Sequence, residues 1–167
     1  MRESTIIGID MGLNGAITVF RGGTIRTMEM PLIKDVIDYH RYFQILGEYR
    51  GEDVHVCFEK LGVIFGSSKK TTFSMGYQAG ATEMLCIGLG YRYTMVQPKK
   101  WQAVMFNGID ELTIQGTTRR DTKAMALVAV KRLFPSVNLT FGPRAVKPHD
   151  GLIDSLLIAE YCKRTLT

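Results

Sequence analysis

Four carboxylates stand where a strand ends or a helix begins. Asp10 closes the apolar, β-branched run Thr5-Ile6-Ile7-Gly8-Ile9. Glu59 closes a stretch over 53–59 in which Val54, Val56 and Phe58 alternate with His55, Cys57 and Glu59, the two-residue period of a strand. Asp150 and Asp154 are four apart at the head of the last helical stretch, so they share a helix face. If the strands ending in Asp10 and Glu59 are parallel neighbours, both acids leave the same sheet edge. A helix packed over that edge then brings all four together. Like charges so close disfavour joint ionisation unless a cation joins them. Mg²⁺ takes oxygen ligands and is held by a few carboxylates plus substrate phosphates. Two such ions about 4 Å apart stabilise the attacking and leaving oxygens of an in-line displacement.

Each acid also has an ordinary reading. Asp10 could be a strand-to-turn residue, Glu59 a solvated strand end, and Asp150 a helix N-cap. Asp154 resists one, because Ile153 and Leu156-Leu157-Ile158 surround it with apolar side chains. His149 is a loop residue, a general base or a reserve metal ligand.

The formal charge is +5 and the pI about 9.2, a mild bias toward a polyanionic partner. Placement says more. Basic residues crowd at Lys69-Lys70, Lys99-Lys100, Arg119-Arg120-Lys123 and Arg144/Lys147. All but Lys123 are expected in loops or just outside helices, where they either contact phosphates or simply solubilise the loop.

Around these residues the pattern predicts strands over 5–10, 15–20 and 24–30, the first two joined through the turn Gly12-Leu-Asn-Gly15. A helix is expected over 34–49 from apolar residues at Val36, Ile37, Tyr39, Tyr42, Phe43 and Leu46. The strand over 53–59 follows, then a loop from Gly62 to Lys70, a helix over 72–88 and a strand over 91–96. A short helix is expected near Trp101, an irregular stretch over 107–120, a helix from Asp121 or Thr122 to Phe134, and a last helix from Asp150 to about Arg164. Hairpin-joined strands followed by strands separated by helices make a mixed α/β sheet.

The 167 residues suit one compact domain, and 46% apolar content is ordinary for one. No apolar run reaches the length of a membrane span. The opening apolar stretch is too short and broken for a signal peptide, which predicts a cytoplasmic protein. Three cysteines, Cys57, Cys86 and Cys162, sit in apolar stretches without a CxxC or Cys/His spacing, and are expected to be small core residues rather than zinc ligands.

Taken in order, these segments resemble the RuvC-like Holliday junction resolvases of the ribonuclease H-like superfamily. Ile7-Gly8-Ile9-Asp10-Met11-Gly12 looks like their first metal-binding strand, and Phe58-Glu59-Lys60 is similar to their strand-four glutamate. Met75-Gly76-Tyr77-Gln78-Ala79-Gly80 resembles the small-residue helix that follows. The stretches Gln97-Pro98-Lys99-Lys100-Trp101, 116–123 and Leu133-Phe134-Pro135 fall at family loop and helix boundaries. The run from Asp150 to Ala159 resembles the last catalytic helix.

The resemblance implies a ribonuclease H-like fold with a five-stranded mixed sheet flanked by helices. It also implies a homodimer, and two Mg²⁺ ions per active site with Mn²⁺ able to substitute. The substrate would be four-way or branched DNA, cut to 5′-phosphate and 3′-hydroxyl ends. The implied ligands are Asp10, Glu59, Asp150 and Asp154, with His149 in reserve. Lys69, Lys70, Lys99, Lys100, Arg119, Arg120, Lys123 and Phe65 would contact DNA. A partner helicase is not named by the sequence.

Two positions depart from the family. Many bacterial members carry Asp or His three residues before the last Asp. Here Gly151 holds that place and the acid is one further back, at Asp150. Many also carry an aromatic three residues after the glutamate. Here that is Gly62, with Phe65 the nearest ring, which implies weaker sequence preference. Other readings are a related nuclease for RNA–DNA hybrids or general branched DNA, a non-catalytic junction-binding module, and a sugar-kinase or actin-like ATPase. The last needs two such domains.

Overall fold

The computed structural model describes residues 4–60 and 68–166. The central sheet begins with β1 (Thr5–Asp10), β2 (Ala16–Arg21) and β3 (Thr24–Glu29), joined as antiparallel hairpins. A two-stranded ribbon, β4 (Leu32–Ile33) and β5 (Val36–Ile37), leads to α1 (Tyr39–Gly47). Then come β6 (Val54–Glu59), α2 (Lys69–Leu89), β7 (Arg92–Val96), α3 (Pro98–Met105), α4 (Thr122–Leu133) and α5 (Asp150–Leu166). The strand order is β3-β2-β1-β6-β7, and β1, β6 and β7 run parallel. No described helix is long and apolar enough to cross a membrane.

The chain departs from the expected helix over 34–49 in its first residues. Val36 and Ile37 pair with Ile33 and Leu32 across a turn in which Lys34 adopts φ 56°. That left-handed backbone is incompatible with a helix running through it. The helix starts only where the Asp38 side chain accepts from the Arg41 N–H at 2.9 Å. In α2 the helix instead starts earlier than its apolar pattern. Ser68 caps it by accepting from Thr71 N–H, which draws Lys69 and Lys70 into the first turn. Lys99 and Lys100 likewise lie inside α3, behind Pro98 at its start, and not in a loop.

The sheet has a core on each face. Ile7, Ile9, Val54, Val56 and Phe58 pack toward α1 and α2. Ile6, Cys57 and Val96 pack on the opposite face against α3, α4 and α5. The alternation read in β6 is therefore the real division between the cores. Helix α5 lies directly on β1. A Cβ at Gly8 would collide with the Ser155 carbonyl and the Ala159 backbone, so glycine sets how closely that helix can approach. Thr18 of β2 and Ser155 of α5 satisfy each other in this dry contact at 2.8 Å.

All three cysteines are buried. Cys86 belongs to the α2 side, while Cys57 and Cys162 share the α5 side. The last two do not lie among apolar groups alone. His55 joins them, although no sequence spacing links position 162 to a strand over a hundred residues earlier.

Candidate active site

Parallel pairing of β1 with β6 puts Ile9 opposite Phe58, so Asp10 and Glu59 leave adjacent strands at the same sheet edge. The close dock of α5 on β1 carries Asp150 and Asp154 over that edge. Asp10 feels the other three acids, and Asp154 feels Glu59 and Asp150. Burial, then Asp154, Glu59 and Asp150, push the Asp10 carboxyl up to about 8. Burial, then Glu59 and Asp150, push Asp154 up to about 7. Burial also raises Glu59, against the hydrogen bond it accepts from Trp101. Asp10, Asp150 and Asp154 line one cleft of about 600 Å³ that is open to solvent.

The cluster has little built-in counter-charge. Lys123, from the first turn of α4, pairs with Asp150 at 2.6 Å, and Lys70 lines the same cleft from the first turn of α2. Oxygen-only donors, several of them disfavoured as free anions, fit a hard divalent cation such as Mg²⁺.

Gly151 accounts for the shifted position of the fourth acid. A Cβ there would strike the Asn14 carbonyl and sit 2.9 Å from Asp10 Oδ2. The β1–β2 turn occupies the space that a side chain would need. An acid can stand at Asp150, one residue earlier, because that position faces outward toward Lys123.

His149 is otherwise engaged. Its Nδ1 accepts from the Leu152 N–H at 3.2 Å, in the manner of a helix cap. Its ring meets Phe141 edge-on, with centroids 5.0 Å apart. It lines a neighbouring pocket with Asn14 and Arg26, apart from the carboxylate cleft.

The basic residues divide. Lys70 and Lys123 border the acids. Lys69 lines the outer face of α2 beside Phe73 and Tyr77. Lys99 and Lys100 are exposed on α3, and Arg119 is exposed in the turn before α4. Arg120 is partly committed to the fold, its guanidinium 5.6 Å from the Phe106 ring centre. Phe65 lies outside the described residues.

Trp101 was not singled out as a site residue by sequence reasoning. Fully buried, it donates from Nε1 to Glu59 Oε1 at 2.8 Å. A buried indole N–H needs an acceptor, but the sequence does not say which. Ser74 and Gln78 of α2 also reach the cleft, and nothing in their helical spacing marks them.

No family model and no curated protein sequence matches the chain. Solved structures do. RuvC of T. thermophilus in complex with a Holliday junction substrate superposes with a TM-score of 0.58 at 15% identity, over 98% of this chain and 97% of that one. A second Thermus thermophilus RuvC structure gives 0.56 at 17%, over 96% and 95%. The described residues therefore have the RuvC-like, ribonuclease H-like fold.

Proposed function

We propose that the chain is a Mg²⁺-dependent endonuclease that cuts four-way or branched DNA as a homodimer. One observation carries the reading: on this fold, Asp10, Asp150 and Asp154 line one open cleft bordered by Lys70 and Lys123, with Glu59 close enough to raise both Asp10 and Asp154. The junction in the complex of the similar RuvC supports branched DNA as the substrate class.

Asp10, Glu59 and Asp154 would hold the metal, with Asp150 as fourth ligand once Lys123 is drawn away. His149 stays in reserve because its Nδ1 is bound to backbone. Bound Mg²⁺ would supply charge stabilisation for in-line attack of water on a phosphodiester. Trp101 fixes one Glu59 oxygen, leaving the other for the metal. Lys70 and Lys123 would hold phosphates flanking the scissile one, and Lys99, Lys100 and Arg119 would bind the duplex arms. Cleavage leaves a 5′-phosphate and a 3′-hydroxyl.

The dimer is supported by the outer face of α2. Phe73, Tyr77, Met84 and Ile87 are exposed there, in line with Gly76 and Gly80. Met75 and Leu85 of the same helix are half-buried toward the protein. A four-way junction has two-fold symmetry and needs two nicks, and a C₂ pair presents two acidic clefts in the same symmetry.

The test is a panel of a four-way junction, a fork, an RNA–DNA hybrid and a plain duplex, each with Mg²⁺, Mn²⁺ or EDTA. Metal-dependent nicking with the junction fastest is expected. A preference for the hybrid would assign the related ribonuclease activity, and shifted but uncut junction with every metal would assign a binding module.

A further inference from the structure

A second constellation lies on the α5 side of the sheet, away from the acids and independent of the nuclease reading. A ring nitrogen of His55 and the Sγ atoms of Cys57 and Cys162 lie within 4.8 Å of one another. The residues are 7%, 0% and 0% exposed. His55 Nε2 bonds to Thr94 Oγ1 at 2.9 Å. Its Nδ1 has no partner, the one such buried side-chain nitrogen or oxygen among the described residues. Buried polar atoms are nearly always satisfied, so an orphan on a ring that sits beside two thiols asks for an explanation.

We propose that His55, Cys57 and Cys162 form a structural site for one thiophilic d¹⁰ ion, Zn²⁺ or Cu⁺. Thiolate sulfur with imidazole nitrogen is the donor set these ions select. An imidazole whose far nitrogen is fixed by hydrogen bonding is the usual form of a histidine ligand, and Thr94 supplies that bond. Metal–ligand lengths of about 2.0–2.3 Å let one ion span the three atoms after small side-chain rotations. Binding replaces the two thiol protons by the cation and releases them to solvent. The described residues offer three side-chain ligands in a closed site. That number suits Cu⁺ as it stands and leaves Zn²⁺ to take one small further ligand.

Placement gives the site a purpose. Cys57 is two residues before Glu59 on β6, and Cys162 is eight positions after Asp154 on α5. An ion here would clip together the strand and the helix that carry three of the four acids. It would hold them from the core side, where the cleft chemistry does not reach.

The test uses the whole protein, reduced, with millimolar Mg²⁺ present to occupy the acidic cleft. Zn²⁺ and Cu⁺ are titrated separately against competing chelators, and X-ray absorption is recorded at the metal edge. One equivalent of either ion is expected, in a shell of two sulfurs and one nitrogen. The melting temperature should rise by roughly 5–10 °C when free metal is a hundredfold above Kd. Binding should vanish in Cys57→Ser and Cys162→Ser and persist in Cys86→Ser. The spectrum is read on the wild-type protein, so it stands even if a serine variant fails to fold. Binding of neither ion, an all-oxygen shell, or a Cys57–Cys162 disulfide in the native protein would each overturn the proposal.

Discussion

Asp10→Asn should make the metal-free protein more stable at pH 8 and flatten its response to pH. Asp10 has a carboxyl pushed up to about 8 in the folded chain, against about 3.9 unfolded. Between those values the folded state binds more protons than the unfolded state. Stability therefore falls as pH rises, the reverse of a salt-bridged carboxylate. From pH 5 to pH 8, full linkage for this one group amounts to about 4 kcal/mol. Asp10 keeps part of its surface open to the cleft and titrates with its neighbours, so about half of that, ~2 kcal/mol, is the working figure. For a domain of this size the melting temperature should drop by roughly 4–8 °C between pH 5 and 8 in EDTA. The general charge works the other way, since the chain carries +5 and loses self-repulsion as pH rises. Saturating Mg²⁺ should restore the wild type at pH 8, whereas Asp10→Asn should gain little from it. A shallower but still clear downward slope should persist in the variant because Asp154, raised to about 7, still titrates. Circular dichroism melts at matched ionic strength measure all of this. A wild-type stability that is flat or rising from pH 5 to 8 without metal would refute the reasoning.

Gly151→Ala should cost about 1–3 kcal/mol by overpacking and lower cleavage as well. The added methyl has no room between Asn14 and Asp10, and thermal melts beside nicking rates check both effects. Trp101→Phe keeps the buried ring but removes the donor to Glu59. Cleavage should fall by roughly 10–100-fold, as for other groups that orient metal ligands, while gel-shift affinity for the junction stays unchanged. Met84→Glu, on a side chain 63% exposed in the protomer, should leave the melt within about 0.5 kcal/mol of wild type. Light scattering should nonetheless show a monomer, and paired nicking should be lost.

The acidic site was legible because each acid terminates or starts an element whose period is visible. Strand alternation over 53–59 placed Val54, Val56 and Phe58 on one core and Cys57 on the other, as found. Parallel pairing of the strands ending in Asp10 and Glu59 was only a condition of that reading, and the sheet meets it. Contacts between distant segments were not legible. The bond from Trp101 to Glu59 joins positions 42 apart. The pairing of Lys123 with Asp150 joins two helix starts that only the packed fold makes neighbours. The turn at Lys34 overrode a helical spacing because one left-handed residue outweighs two apolar positions. The His55, Cys57 and Cys162 group was hidden for a related reason. Two members are a strand period apart, and the third reaches them only because Gly8 lets α5 lie flat on β1.

The central claim is that these four acids make a paired-nicking metal nuclease. It is tested most directly by mapping cuts on a four-way junction, each strand labelled in turn, for the wild type and for Asp154→Asn. Mg²⁺-dependent nicks are expected at symmetric positions in two opposing strands, bearing 5′-phosphate and 3′-hydroxyl ends. Asp154→Asn should bind the junction as tightly as the wild type and leave it uncut. Nicking by the wild type in EDTA, or cutting by Asp154→Asn at near wild-type rate, would contradict the claim.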